Sequence, residues 1–106
     1  MEVTTKQRVI LLNLLSGLRG HEIELRVLRE LRDKLGFTEE EHAKLQLKQD
    51  EEGNVTWDPT NDEPKDIDFG DVGQHIILRE LHRLERDGGL EDKHLEIIGL
   101  FPWTER

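Results

Sequence analysis

Asp and Glu are the side chains of this chain that could most readily take part in chemistry. They are concentrated between positions 50 and 71. This acidic segment holds nine Asp and Glu residues and one basic residue, Lys65; nine minus one gives −8, within a chain whose total charge is −9. Carboxylate oxygens bind calcium, act in pairs as general acids and bases, or attract a basic partner over long distances. These are the three kinds of chemistry to weigh.

A calcium site requires a stricter pattern than acidity alone. An EF-hand loop needs oxygen ligands at alternate positions, glycine at the sixth and glutamate at the twelfth. The three frames that begin at Asp50, Asp58 or Asp66 place a residue other than glycine at the sixth position. The segment therefore indicates a solvated acidic hairpin and loop, and we expect no calcium site.

Other metals and covalent catalysis lack the necessary residues. No two of the five histidines are spaced i, i+4 on one helix, there is no H-E-x-x-H, and the chain has no cysteine. It also lacks G-x-S-x-G, P-loop and G-x-G-x-x-G motifs and contains no tyrosine. We expect a protein without catalytic activity, metal or cofactor.

A capping box at Thr4 and Gln7 predicts a first helix over residues 5–16, closed by Gly17. Apolar residues wrap most of its circumference: Val9, Ile10, Leu11, Leu12, Leu14 and Leu15. A helix that is apolar nearly all round is usually central to a core. The alternative is that one of its faces meets a partner.

Two further helices follow in the first half of the chain. Apolar residues at helical spacing predict a second helix over residues 22–35, ended by Gly36. Thr38 and Glu41 form another capping box, which predicts a short third helix of one or two turns.

From Lys44 the period of the sequence changes from helical to two, which predicts that the first hairpin strand begins there. Leu45 and Leu47 alternate with polar residues, residues 50–54 supply a turn, and residues 55–57 form the return strand. A third short strand is predicted where Ile67 and Phe69 alternate with aspartates. The pattern predicts an antiparallel hairpin or a small three-stranded sheet.

Helical spacing returns near the C-terminus. Asp71 and Gln74 predict the start of a helix over residues 72–87, which Gly88 and Gly89 end. Its predicted inner face is Ile77, Leu78, Leu81 and Leu84. A last helix over residues 91–98 offers Leu95 and Ile98, and a tail docks through Phe101 and Trp103.

Together these elements predict one α+β domain over residues 1–106, with two N-terminal helices, a short third helix, a small antiparallel sheet and two C-terminal helices. No stretch reaches the roughly 18–20 apolar residues that a membrane span needs, and no signal peptide is evident. We expect a cytoplasmic protein. Its acidity argues against direct binding to nucleic acid or anionic membranes.

The order helix, helix, short helix, hairpin is also that of a winged helix-turn-helix domain. The third helix would then enter the major groove of DNA. Here that helix begins with Glu39, Glu40 and Glu41, and the wing would carry Asp50, Glu51 and Glu52. Repulsion from phosphates makes this the less favoured alternative.

A basic stripe of Arg79, Arg83 and Arg86 lies on one face of the fourth predicted helix. Glutamates flank it, so a salt-bridged solvent face is the favoured interpretation. The alternative is contact with the acidic segment itself or with an acidic partner.

The acidic segment itself is the predicted protein-binding surface. Carboxylates along an ordered hairpin and loop imitate the phosphate spacing of nucleic acid and attract a basic groove on another protein. Trp57 lies in the middle and either anchors the interface or covers the sheet. The predicted partner-binding residues are Asp50, Glu51, Glu52, Trp57, Asp58, Asp62, Glu63, Asp66 and Asp68.

The combination of "RVILLNLLSG", "LRELRDKLGFTEEE", "VTWDP" and "LHRLERDGGLEDKHLEII" resembles small acidic proteins encoded in bacteriophage and prophage genomes. The resemblance extends over most of the chain and carries no functional residue with it. It implies an accessory phage product in the bacterial cytoplasm, a class that often inhibits a host enzyme or defence complex.

The sequence thus favours a non-catalytic acidic module that binds a host protein with a basic surface, as a phage inhibitor or regulator would. The first alternative is a winged-helix-like transcription regulator. The second is a structural or assembly protein that acts as a homo-oligomer, such as a homodimer.

Overall fold

In the computed structural model, residues 1–16, 18–52 and 54–101 are described, and over them the fold is mixed α+β, as the sequence predicts. The helices are α1 (Thr5–Leu15), α2 (Glu22–Leu35), α3 (Glu39–Leu45), α4 (Gly70–Arg86) and α5 (Leu95–Ile98). The strands are β1 (Glu2–Val3), β2 (Lys48–Gln49), β3 (Val55–Thr56) and β4 (Lys65–Asp66).

Both predicted capping boxes are present and decide where α1 and α3 begin. The Thr4 hydroxyl accepts a hydrogen bond from Gln7 N at 3.2 Å, and Gln7 Oε1 accepts one from Thr4 N at 2.9 Å. Thr38 and Glu41 repeat the arrangement at 3.1 Å in both directions. Each box satisfies amide donors that the first helical turn leaves without intrahelical partners.

The start of α4 differs from the prediction. The helix begins at Gly70 rather than at Val72, and Asp71 is not its cap. Asp68 Oδ1 accepts a hydrogen bond from Gly70 N at 3.0 Å instead. Gly70 has a φ of +67°, a conformation that glycine adopts without steric cost, so the chain turns into the helix two residues early.

The strands form two separate antiparallel pairs among the described residues. β2 and β3 make the predicted hairpin, in which Gln49 lies opposite Val55. The prediction that one hairpin strand begins at Lys44 is wrong, because α3 continues to Leu45, whose side chain is buried.

The third predicted strand does not join the hairpin, so the three-stranded alternative is wrong. The strand nearest to it, β4, covers only Lys65–Asp66 and pairs with β1, with Val3 opposite Lys65; Ile67 and Phe69 lie after it and are buried. The chain leaves the hairpin just after β3. There, Asp58 N donates a hydrogen bond to Leu45 O at 2.7 Å, and a 3-10 turn over Pro59–Asn61 comes next. This turn ends the pairing with the hairpin, and the chain next pairs with the N-terminal strand.

The core is aliphatic and lies between α1, α2 and α4. As predicted, α1 is central: Ile10, Leu11, Leu14 and Leu15 are all buried. α2 and α4 approach closely at Gly73, where an added Cβ would lie 3.1 Å from Leu31 Cδ2. A side chain at that position would require Leu31 to move by a few tenths of an ångström, so the glycine favours this close approach of the two helices.

The C-terminal helix is shorter than predicted and presents a different face. A 3-10 turn over Asp92–His94 precedes α5, and its tighter winding moves the apolar positions around the axis. Ile97 is fully buried, whereas Leu95 is 67% exposed, so the inward placement of Leu95 is wrong. Phe101 is buried against Phe69, with ring centroids 5.3 Å apart. Trp103 lies outside the described residues.

Candidate partner-binding surface

Most carboxylates of the acidic segment face solvent. Seven of its nine acidic residues are exposed, and the two exceptions, Asp58 and Asp62, are half-buried. The predicted site residues are distributed over the β2–β3 turn, the loop after β3, and β4 with the residues that follow it. They therefore form a dispersed charged surface and not a compact cluster.

The turn of the hairpin is organised by one of its own aspartates. Asp50 Oδ1 accepts hydrogen bonds from Glu52 N and Asn54 N, both at 2.9 Å. An aspartate that binds backbone amides within its own turn is a common device for fixing turn geometry. Glu51 and Glu52 are exposed, and among the described residues neither side chain forms an ion pair. These two carboxylates are therefore presented to solvent on an ordered turn.

Asp62 has a structural role that the sequence prediction missed. Its Oδ1 accepts hydrogen bonds from Thr5 Oγ1 at 2.6 Å and from Thr5 N at 3.3 Å. Thr5 is 1% exposed and begins α1, which has no acidic residue in its own first turn. A carboxylate there satisfies an otherwise unpaired amide and is favoured by the helix dipole. Asp62 thus joins the acidic loop to the core.

Trp57 is brought against Asp62 and is half-buried. Its indole Nε1 donates a hydrogen bond to Asp62 Oδ2 at 3.3 Å. With this contact the polar end of the ring is satisfied within the protein, while part of its surface stays accessible. Trp57 therefore supports the loop, and only its exposed part is available to a partner.

Asp58 and Asp68 act as local caps. Asp58 Oδ1 accepts hydrogen bonds from Thr60 Oγ1 at 2.7 Å and Thr60 N at 3.0 Å, at the start of the 3-10 turn. The Thr60 hydroxyl, followed by the Thr60 amide, lowers the pKa of the Asp58 carboxyl. Asp68 likewise accepts the hydrogen bond from Gly70 N, the first residue of α4. Both side chains hold the local backbone, and Asp68 is also exposed to solvent.

Glu63 and Asp66 make exposed ion pairs. Glu63 Oε2 lies 3.5 Å from Lys44 Nζ, and Asp66 Oδ1 lies 2.6 Å from the Met1 amino group. Exposed pairs of this kind contribute little to stability, typically below about 1 kcal/mol. Glu63 and Asp66 can therefore exchange these partners for groups on another protein at small cost.

An apolar groove adjoins the hairpin; the sequence suggested an outward apolar face on α1 as an alternative but did not locate a groove. It has a volume of about 220 Å³ and lies between α1, α3 and the hairpin. Five half-buried apolar side chains line it: Val9, Leu12, Phe37, Leu47 and Val55. Its polar lining consists of Asn13, His42, Lys48 and Gln49. The groove uses the face of α1 opposite the core, which is why that helix is apolar nearly all round.

A buried arginine fixes the inner edge of this groove. Arg8 is 1% exposed, and its guanidinium donates to Leu35 O at 3.1 Å and to Gly36 O at 2.6 Å. It also forms a two-pronged ion pair with Glu41, at 2.5 and 3.2 Å. Its Cζ lies 3.9 Å from the centre of the Phe37 ring.

These contacts hold the end of α2, the start of α3 and a groove-lining ring in one arrangement. The hydrogen bonds from Arg8 lower the pKa of the Glu41 carboxyl from its usual 4.5 to about 2. Sequence reasoning missed Arg8, although an arginine three residues before Leu11, at the edge of an apolar run, is a detectable signal.

The basic stripe of α4 is occupied within the protein. Arg79 pairs with Glu24 on α2, and Arg83 pairs with Glu80 and with Asp87. Arg86 Nε lies 3.8 Å from Asp87. The Arg79 guanidinium, which donates a hydrogen bond, holds the pKa of the Glu24 carboxyl below its usual value. These pairs agree with the salt-bridged interpretation of the stripe.

Within the described residues, no group of three or more His, Cys, Asp or Glu side chains is arranged to hold a metal ion. Among the same residues, no helix is both long enough and apolar enough to cross a membrane.

No protein-family model, curated protein or solved structure matches this chain. A function is therefore inferred from the charge, burial and geometry of its own residues.

Proposed function

We propose that this protein is a non-catalytic acidic module that binds a host protein with a basic surface, as a phage-encoded inhibitor or regulator. The observation that carries the proposal is the placement of charge. A net −8 of the chain's −9 lies in residues 50–71, and seven of the nine acidic side chains there are exposed.

Exposed carboxylates held on a defined backbone favour a protein partner over simple solubility. A solubilising segment needs charge but no order, whereas here Asp50, Asp58 and Asp68 bind their own turns through backbone amides. An ordered negative surface is complementary to a basic groove, including one that otherwise holds nucleic acid. This complementarity is the basis for proposing inhibition of a nucleic-acid-binding host enzyme or defence complex.

Direct DNA binding fits less well. α3, the element that would enter the major groove, is seven residues long and begins with three glutamates, of which Glu39 and Glu40 are exposed. Fluorescence anisotropy with duplex DNA at physiological salt is expected to show no binding, and micromolar affinity would favour the regulator instead.

The proposed function is tested by affinity capture from a bacterial lysate with the wild type and with a Glu51→Lys, Glu52→Lys variant. The matched control is Glu30→Lys, Asp33→Lys on α2, which changes the net charge equally at two other exposed positions. A specific partner should be captured by the wild type and the control and lost by the turn variant. Equal loss in both variants would show that total charge alone is responsible.

A further inference from the structure

The groove defined above is bordered on two of its sides, by α3 and by the hairpin, by acidic stretches of the chain. Residues 39–56, which supply α3 and the hairpin, contain six acidic and two basic residues, a net charge of two minus six, or −4. Glu39 lies one helical turn before the groove residue His42, and Glu51 and Glu52 form the turn between the groove residues Gln49 and Val55. On its α3 and hairpin sides the apolar trough is thus bordered by exposed carboxylates.

We propose that this groove is the docking site for a basic amphipathic segment of the partner, with apolar side chains in the groove and Lys or Arg beside the carboxylates. The inference rests on the proposed function and adds the anchor that the acidic surface lacks. Charge steers and orients a complex, whereas a buried apolar contact at its centre supplies most of the affinity.

The size of the groove limits what it can hold. An apolar cavity of about 150 Å³ accommodates a benzene molecule. A volume of about 220 Å³ therefore has room for one aromatic ring or a pair of small aliphatic side chains. This matches one or two anchor residues of a helix that presents them at i, i+3 or i+4.

The charge around the groove selects this occupant over others. A second copy of the chain would bring another net −9 against the same acidic border. A purely apolar segment would not be attracted by the carboxylates that border the groove. A basic segment would associate faster because of that attraction and would form ion pairs at the edge of the interface. Lys48 and His42 line the trough itself, whereas the exposed Glu39, Glu51 and Glu52 lie on the elements that border it.

The Arg8–Glu41 pair gives the groove a preformed wall. The Arg8 guanidinium stacks on one side of Phe37, and the His42 ring stands edge-on to Phe37 with centroids 6.2 Å apart. A wall that is already ordered costs little conformational entropy when a segment docks.

The test is an amide NMR titration with a designed 18-residue peptide that has leucines at i, i+3, i+4 and i+7 and lysines elsewhere. A second peptide keeps the leucines and replaces every lysine with glutamate. We expect saturable one-to-one binding of the lysine peptide, with shifts centred on Leu12, Leu47 and Val55. The glutamate peptide should bind at least about tenfold more weakly.

Variants locate the contact. Val55→Glu and Val9→Glu place a charge on opposite walls of the groove and should each weaken the lysine peptide about tenfold or more. Ile23→Glu is the matched control, since Ile23 is 74% exposed on α2, and it should leave affinity unchanged. The amide spectrum of each variant shows whether it remains folded, and the wild-type titration stands without them.

Several outcomes would overturn the groove inference. Chemical-shift changes confined to the acidic residues of positions 50–71, with none in the groove, would overturn the groove inference but leave the proposed acidic binding function intact. Absence of saturable binding, or equal binding of the two peptides, would also overturn the groove inference. Groove shifts that appear on self-dilution, or on removal of residues 102–106, would identify a second copy or the chain's own tail as the occupant.

Discussion

The buried Arg8 and the half-buried Glu41 form an ion pair that joins three helices: Arg8 belongs to α1, Glu41 to α3, and the same guanidinium binds two carbonyls at the end of α2. Glu41 also completes the capping box of α3 and lies 3.7 Å from Lys65 on β4. One carboxylate thus fixes the start of a helix and compensates a buried cation. The stability of the fold and the shape of the groove both depend on it.

The first prediction concerns the pH dependence of this pair. The pKa of Glu41 is about 2 in the folded protein and near its usual 4.5 when unfolded. A lowered folded-state pKa gives stability that is complete above pH 4.5 and is lost as pH falls toward 2. Glu41 should contribute no more than about 3 kcal/mol at pH 7, of which about 2 kcal/mol is gone at pH 3.

Urea unfolding of wild type and Glu41→Gln at pH 7 and pH 3 measures this contribution. The difference in unfolding free energy between the two proteins should be large at pH 7 and should shrink at pH 3. Glu22→Gln is the control, because Glu22 makes only an exposed pair with Arg26 and should cost below about 0.5 kcal/mol at either pH. A Glu41→Gln difference that does not change with pH would contradict the assignment.

The second prediction tests the planar guanidinium of Arg8, which donates hydrogen bonds to several acceptors at once. Arg8→Lys keeps the charge but removes the planar donors that reach two carbonyls and a carboxylate at once. The substitution should destabilise the protein by about 2 kcal/mol or more, because buried polar groups lose partners. Arg26→Lys, at an exposed pair, should change stability by less than about 0.5 kcal/mol. Equal effects at the two positions in thermal unfolding would show that Arg8 is not a structural clamp.

The third prediction concerns the contact between α2 and α4. In Gly73→Ala the new methyl group would meet Leu31 Cδ2 at 3.1 Å and Cδ1 at 3.2 Å, in a side chain that is 2% exposed. The gain in helix propensity of about 1 kcal/mol should be outweighed, so the net change is destabilising by roughly 1 kcal/mol. Gly99→Ala, with nothing within 4 Å, should be neutral or slightly stabilising. If Gly73→Ala stabilises the protein instead, the Leu31 side chain can move away from the new methyl group at little energetic cost.

Local patterns in the sequence predict much of this fold, and the reason is physical. The Thr4–Gln7 and Thr38–Glu41 boxes depend on residues only three apart, so the sequence suffices to locate both helix starts. The span of α2 coincides with the predicted range because its apolar stripe and Gly36 are equally local.

Long-range pairing is what the sequence does not show. The partner of β4 is β1, more than sixty residues earlier, and a two-residue strand has no period that could reveal it. Likewise, the Arg8–Glu41 pair and the groove combine residues from separate elements. The composition of the sequence shows the acidic segment, but not the role of each aspartate. Whether an aspartate binds its own turn, joins the loop to α1 as Asp62 does, or faces solvent depends on which backbone groups lie beside it in the fold.

The last prediction separates structural from functional carboxylates in the acidic segment. Asp62→Ala should destabilise the protein by about 1 to 2 kcal/mol, because it leaves the buried Thr5 hydroxyl and amide without their acceptor. Glu51→Lys with Glu52→Lys should change stability by no more than about 0.5 kcal/mol, since both side chains are exposed. Binding should show the opposite order of effects, measured at a temperature at which Asp62→Ala is folded. The Glu51→Lys, Glu52→Lys turn variant should lose association rate and the salt dependence of that rate. Asp62→Ala should keep most of the wild-type rate and salt dependence. Stopped-flow association at two salt concentrations, with the lysine peptide, measures this. If Asp62→Ala lowers the association rate more than the turn variant does, the loop after β3, and not the hairpin turn, is the steering surface.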